Sequence, residues 1–144
     1  MIGRLHGLVL DCPVPRELAP FYQHLLGLNK VIYDEESWVV LEGPESGPTI
    51  GFQQVTDFRA PQWPDPSRPQ HVHLDVMVPD LDVAEALVLA RGATLLRGSD
   101  KPIGFRVYAD PVGHPFCLVT PESIVCLEPP KTSVQPSGAP ATNG

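Results

Sequence analysis

The chain contains two segments that repeat the same order of strand, break and helix. Leu10-Asp11 returns as Leu74-Asp75, an offset of 64 residues, and a Val-Pro dipeptide follows each pair. Gly27 and Gly92, which end the two helical patterns, lie 65 residues apart. Neither half can bury its apolar strand face alone, so the repeat predicts one domain of two similar halves with a shared groove.

Each half has the pattern of a strand, an amphipathic helix and three further strands. The first helix places an apolar stripe at helical spacing, starts near Glu17 and ends at Gly27. The sequence therefore predicts an α+β fold in a single domain over 1–127, with module one at about 5–55, a proline-rich connector at 56–70 and module two at about 71–127. Residues 128–144, rich in Pro, Ser, Thr, Gly and Ala, are predicted to be a disordered tail.

Charge and cysteine content narrow the function classes. With 17 acidic and 10 basic residues and no basic stripe, the chain is not expected to bind nucleic acid. Its apolar runs are too short for a membrane span. Three widely spaced cysteines, Cys12, Cys117 and Cys126, are typical of buried thiols in a reducing compartment, so a cytoplasmic location is expected.

Three motifs over residues 5–120 resemble the vicinal oxygen chelate superfamily, and within it the glyoxalase-like and bleomycin-resistance-like proteins. The first motif is Phe21-Tyr22 followed by Leu-Leu-Gly-Leu at residues 25–28, and the second is His73-Leu74-Asp75 before Pro79-Asp80. The third is the segment Asp-Pro-Val-Gly-His-Pro-Phe at residues 110–116. The resemblance implies two βαβββ modules that form a cupped mixed sheet around a ligand cavity. It also implies a homodimer.

Metal-dependent members of that superfamily use four ligands, two His or Gln and two Glu, one on the first and one on the last strand of each module. His73 matches one of these positions, whereas the other three fall on Gly7 or Leu8, on Gly51 and on Cys117. His6 is one or two residues out of register, and a one-residue slip turns a side chain to the opposite sheet face. We therefore expect no cofactor and no four-ligand metal centre.

A different metal site remains an alternative. His71, His73 and Asp75 alternate along one predicted strand and so point to one face, where they form either a polar strip or part of a zinc site. In the second case His73, His71 and His6 are the candidate ligands. The chain would then be a metal-dependent lyase, isomerase or dioxygenase with a rearranged histidine site.

The leading prediction is a protein that binds a small organic molecule, flat or apolar, in the cup between the modules. Trp63 lies among prolines and is a candidate lid or dimer contact, and Arg106 is either exposed or paired with an anionic ligand. Each aromatic candidate, including Phe105 on a middle strand, also has a core-packing alternative. The residues predicted to line the site are Phe52, Gln54, Trp63, His71, His73, Asp75, Arg106, Phe116 and Cys117.

Overall fold

The computed structural model describes residues 1–123 as two modules of the same element order. Module one contains β1 (Gly7–Cys12), α1 (Pro15–Leu26), β2 (Val31–Glu35), β3 (Trp38–Leu41) and β4 (Thr49–Gln54), with a 3₁₀ turn at Pro44–Ser46. Module two contains β5 (Leu74–Met77), α2 (Leu81–Leu89), β6 (Thr94–Arg97), β7 (Phe105–Ala109) and β8 (Pro115–Val119). The predicted tail at 128–144 and the end of the predicted domain lie outside the described residues.

The strand orders of the two sheets are β1-β4-β3-β2 and β5-β8-β7-β6. In each sheet the first and last strands of the module pair in parallel and the other neighbours pair antiparallel. Leu10 lies opposite Phe52, and Leu74 lies opposite Phe116, so both partners repeat at an offset of 64. The predicted α+β fold of two βαβββ modules is therefore confirmed.

In the four parallel strands, even-numbered side chains face the core and odd-numbered ones face away. Cys12 and Phe52 in module one are completely buried, as are Phe116 and Leu118 in module two. Val9, one residue from Leu10, is 46% exposed. Because strand side chains alternate and the module offset is even, both modules follow the same rule.

Helix α1 begins two residues before the predicted start. Pro15 occupies the first helical position, where its missing N–H has no intrahelical partner to lose. The N–H groups of Glu17 and Leu18 donate to the carbonyl of Val14. At the other end Gly27 adopts the left-handed conformation, with φ 67, and its N–H donates to the Gln23 carbonyl. Gly27 therefore ends the helix, as predicted.

Both helices lie on the inner side of the sheets, where α1 contacts both modules. Phe21 packs edge-on against Phe116 with ring centroids 5.7 Å apart, while Tyr22 packs against Phe52 at 5.4 Å. Helix α2 buries Leu81 and Val88. The outer faces of the two sheets therefore point away from the shared core. Within residues 1–123, neither helix has the length and apolar character needed to cross a bilayer.

Candidate ligand-binding site

Three donor side chains converge on the outer face of the second sheet. Asp75 on β5 lies directly opposite Cys117 on the parallel strand β8. His73, two residues before Asp75, places Nε2 3.4 Å from Asp75 Oδ1. The donor atoms of His73, Asp75 and Cys117 all lie within 4.8 Å of one another.

The Cys117 side chain is held as a thiol. Burial, and then the charge and hydrogen bond of Asp75, raise the pKa of Cys117 to about 12. A thiol in that state is a weak nucleophile, because the thiolate is the reactive form. The cluster therefore presents an imidazole, a carboxylate and a polarisable S–H group to whatever occupies the space beside it.

That space is a pocket of about 290 Å³, called here the sheet-face pocket, which is lined by His73, Asp75, Met77, Phe105, Cys117, Val119 and Ser123. Met77 and Phe105 are 53% and 47% exposed, a large exposure for side chains of this apolarity. The pocket thus has one polar end and apolar walls, which is the usual construction of a small-molecule site.

His71 lines a different cavity. A volume of about 730 Å³, called here the connector cavity, lies between the outer face of β1 and β4 and the connector; its lining includes Asp11, Gln53, Gln70, His71 and His114. Strand β5 begins only at Leu74, so the alternation predicted from His71 to Asp75 does not extend through the whole stretch. The structure brings His73 and Asp75 together, and neither His71 nor His6 belongs to the three-donor cluster found in the described residues.

The predicted orientation of Phe52 and Phe116 is wrong. Both rings are completely buried and belong to the hydrophobic core, because even-numbered positions of β4 and β8 face α1. The sequence left open whether Phe116 or Cys117 points outward, and the structure assigns that position to Cys117.

Arg106 is neither exposed nor available to an anionic ligand. Its side chain is 7% exposed, and its guanidinium donates to Asp82 at 2.7 Å and to Glu85 at 3.2 Å, both on α2. The Tyr108 hydroxyl donates to the same Glu85 carboxylate at 2.6 Å. Arg106 therefore fixes α2 on the second sheet.

Two further candidates lie outside both pockets. The Gln54 amide nitrogen donates to the Pro13 carbonyl at 3.0 Å, on the exposed end of β4. Trp63 is half-buried on the connector and lines neither the sheet-face pocket nor the connector cavity.

The residues do not fit the four-ligand pattern. The strand registers align His73 with Val9 and Cys117 with Gln53 at the offset of 64, rather than with Gly7 or Leu8 and with Gly51. Val9 has no donor atom, so the module-one counterpart of the histidine ligand is missing.

Three residues of the sheet-face pocket, Met77, Val119 and Ser123, were not predicted from the sequence. Met77 and Val119 lie two residues beyond Asp75 and Cys117, so strict alternation along β5 and β8 was a sufficient signal for both. Ser123 follows β8 and donates its hydroxyl to the Thr120 carbonyl at 2.6 Å. No local pattern marks it, because it reaches the pocket through the turn of the chain after β8.

Comparison with known proteins supports the fold. A Glyoxalase-like domain family model matches residues 7–119. A glyoxalase/bleomycin resistance protein/dioxygenase family enzyme from Burkholderia phytofirmans has a TM-score of 0.62 at 16% identity, covering 82% of this chain and 98% of its own. A genomically encoded fosfomycin resistance protein from Listeria monocytogenes has 0.61 at 16%, covering 83% and 94%.

A trypanothione-dependent glyoxalase I from Leishmania major has a TM-score of 0.61 at 15% identity, covering 85% of this chain and 90% of its own. No curated protein matches the chain. Identities this low show the fold and leave the activity open. The family match spans both modules and all eight strands, and the chain therefore belongs to the family of glyoxalase-like domain proteins.

Proposed function

We propose that this glyoxalase-like protein binds a small, flat or apolar organic molecule in the sheet-face pocket, without the four-ligand metal centre of its superfamily. The observation that carries the proposal is the convergence of His73, Asp75 and Cys117 at one end of an otherwise apolar pocket. Three polar groups orient a ligand, and the walls supply contact area.

The lining of the pocket supports a flat ligand. Phe105 and Met77 present a ring and a thioether to the solvent side, and both groups make favourable contacts with aromatic molecules. Arg106 is engaged with α2, so no arginine of the site is left to attract an anion. An anionic ligand is accordingly disfavoured, and the Asp75 carboxylate favours a ligand that offers it a hydrogen-bond donor.

A homodimer is part of the proposal. Because both helices lie on the inner side, the ligand-facing surface of each sheet is open in one chain, and apolar side chains such as Val9 and Met77 are exposed there. A second copy that covers these faces would enclose the pocket and complete the cup. Sedimentation equilibrium tests this part, with a monomer at micromolar concentration as the contrary result.

The binding proposal is tested by titrating the protein with 2-naphthol, a flat probe whose fluorescence responds to apolar surroundings. We expect saturable binding that Phe105→Ala weakens by about fivefold or more, since aromatic contacts contribute about 1 kcal/mol beyond area burial. Tyr33→Ala is the matched control, because Tyr33 is 45% exposed on the edge strand β2. Binding that is absent, or that responds equally to both variants, contradicts the proposal.

A second candidate function is metal-dependent chemistry of the lyase, isomerase or dioxygenase type. It is favoured by one observation: His73, Asp75 and Cys117 supply nitrogen, oxygen and sulfur donors within 4.8 Å of one another. Zinc takes these donor types, and catalytic zinc sites use three protein ligands with a further position open. This donor set lies entirely in module two and differs from the histidine set expected from the sequence.

Elemental analysis of protein purified without chelator separates the two candidates. Zinc close to one equivalent per chain, lost in His73→Ala and Cys117→Ser but kept in the control Cys12→Ser, supports the metal function and overturns the metal-free one. Background metal in the unmodified protein, with 2-naphthol binding intact, supports the metal-free proposal.

A further inference from the structure

The connector cavity shares no lining residue with the sheet-face pocket. Its volume of about 730 Å³ falls within the usual range for small-molecule sites. One wall is the outer face of β1 and β4, and the other is formed by the connector and by His114, which immediately precedes β8. It is therefore a separate candidate site.

His114 is held in this wall by a buried carboxylate. Asp110 Oδ2 lies 2.9 Å from His114 Nδ1 and accepts the Tyr22 hydroxyl at 2.7 Å. Asp110 Oδ1 accepts the N–H groups of Val112, Gly113 and His114 at 2.8 to 3.0 Å. A carboxylate surrounded by donors acts as an acceptor, so Nδ1 of His114 carries the hydrogen. In the neutral ring Nε2 is then a bare acceptor.

That acceptor is accessible from the cavity. His114 has 16% of its side chain exposed and lines the cavity. Nε2 of His114 forms no hydrogen bond with any described residue. Since it is also absent from the buried atoms that lack a partner, Nε2 is exposed to solvent. A donor entering the cavity can therefore reach it.

A second acceptor in the same wall is unsatisfied. Gln70 lines the cavity, and its Oε1 atom is buried with no hydrogen-bond partner in the described part of the chain. A buried acceptor without a partner costs about 1–3 kcal/mol. A rotation of the Gln70 side chain that brings Oε1 to the cavity surface would recover this cost through a hydrogen bond from a ligand N–H or O–H group. His114 and Gln70 together favour a ligand that carries hydrogen-bond donors.

The charges around the cavity indicate an uncharged ligand. Two acidic side chains, Asp11 and Asp57, are matched by two basic ones, Arg59 and Arg68, so their fields largely cancel. The Phe58 ring, 5.4 Å from the His114 ring, supplies a flat apolar contact beside the acceptor.

We propose that the connector cavity is a second small-molecule site, which selects uncharged aromatic molecules bearing N–H or O–H donors. His114 Nε2 and Gln70 Oε1 accept these donors and Phe58 packs on the ring. The site goes beyond the sheet-face pocket and uses none of its residues.

The experiment titrates the uniformly ¹⁵N-labelled full chain with benzamide, and separately with N,N-dimethylbenzamide, which has no N–H donor. Benzamide is expected to give saturable chemical-shift changes at the backbone amides of Gln70, His71 and His114. The dimethyl compound should bind about tenfold more weakly, because it loses hydrogen bonds that contribute about 1.4 kcal/mol. Absence of saturable shifts, or equal affinity for the two compounds, overturns the proposal.

Two variants remove one acceptor each. His114→Asn keeps an N–H group for Asp110 but lacks the distal nitrogen, and Gln70→Met keeps the volume without the oxygen. Each should weaken benzamide binding about tenfold, whereas Tyr33→Ala, on β2 and in the lining of neither cavity, should leave it unchanged. Unchanged affinity in either acceptor variant overturns the proposal, and Gln70→Met keeps the test decisive if His114→Asn does not fold. Because 2-naphthol also carries an O–H donor, only the response of its binding to Phe105→Ala reports on the sheet-face pocket, and that response leaves the present proposal untouched.

Discussion

Tyr22 and Asp110, 88 residues apart in the chain, connect the two modules through a buried hydrogen bond in which the Tyr22 hydroxyl donates to Asp110 Oδ2 at 2.7 Å. Burial, followed by the charge of Asp110, raises the pKa of Tyr22 well above its ordinary value, so the hydroxyl stays a donor. The modules are thus held by a specific polar contact as well as by apolar packing.

Tyr22→Phe should lower the free energy of unfolding by about 1–2 kcal/mol, because it removes one donor from a completely buried carboxylate. Urea denaturation measures the change. Tyr33→Phe, on an exposed edge strand, should cost less than about 0.5 kcal/mol. Equal effects of the two variants would show that the Tyr22 hydroxyl contributes nothing specific.

The two acidic partners of Arg106 should differ in importance. Glu85→Ala removes the acceptor of both Arg106 and Tyr108 and leaves a nearly buried guanidinium half-paired, so we expect a loss of about 2–3 kcal/mol. Asp82 is 74% exposed, and Asp82→Ala should cost about 1 kcal/mol or less. Urea denaturation of both variants measures the two losses in the free energy of unfolding. A larger loss in Asp82→Ala than in Glu85→Ala would contradict the prediction.

Gly113→Ala should destabilise the fold by about 3 kcal/mol. Gly113 has φ 106, and an added Cβ would lie 2.6 Å from the Cβ of Ala60 on the connector. Adding Ala60→Gly should recover about 1 kcal/mol by removing the clash while the backbone strain remains. Gly3→Ala, with open space around it, is the control for adding a methyl group. No recovery in the double variant would mean that the clash with the connector is unimportant.

Stability should fall at alkaline pH through Cys12. Burial, with Asp110 and Asp11 adding to it, raises the pKa of Cys12 from 9.0 to about 11. The folded protein therefore keeps this proton after the unfolded chain has lost it. The stability from the protonated thiol is complete below about pH 9 and is lost as pH rises towards 11. The free energy of unfolding should decline more steeply over this interval in the native protein than in Cys12→Ala. Parallel curves for the two proteins would contradict this.

The fold was predictable because its signals are local and occur twice. The apolar stripe that includes Leu18 and Tyr22 and the stop at Gly27 define α1 within a few residues, and the repeat of Leu10-Asp11 as Leu74-Asp75 fixes the module order. Strand β5 began three residues later than expected. The ladder begins with Leu74 opposite Phe116, and the preceding residue of β8, Pro115, has no N–H to donate to a neighbouring strand.

The site was predicted less completely, because the face that a strand turns outward depends on where a distant helix packs. Phe52 and Phe116 have the apolar character of either a core or a ligand pocket, and only their contact with α1 decides between them. Arg106 finds its partner Glu85 21 residues away on another element, which no local pattern reveals. His73 and Asp75, by contrast, follow from alternation along one strand, whereas the choice of Cys117 over Phe116 required the register of β8 against β5.

The offset between the modules is an even number, 64, so inward and outward positions coincide in the two modules. Residues that hold the fold together and residues that line the two proposed sites occupy alternate places on the same four strands, in both modules alike. Under the proposed function, single substitutions at outward positions such as 53, 75 or 119 would change the ligand preference while the interior stays intact. A protein of this design could acquire new ligand preferences one residue at a time.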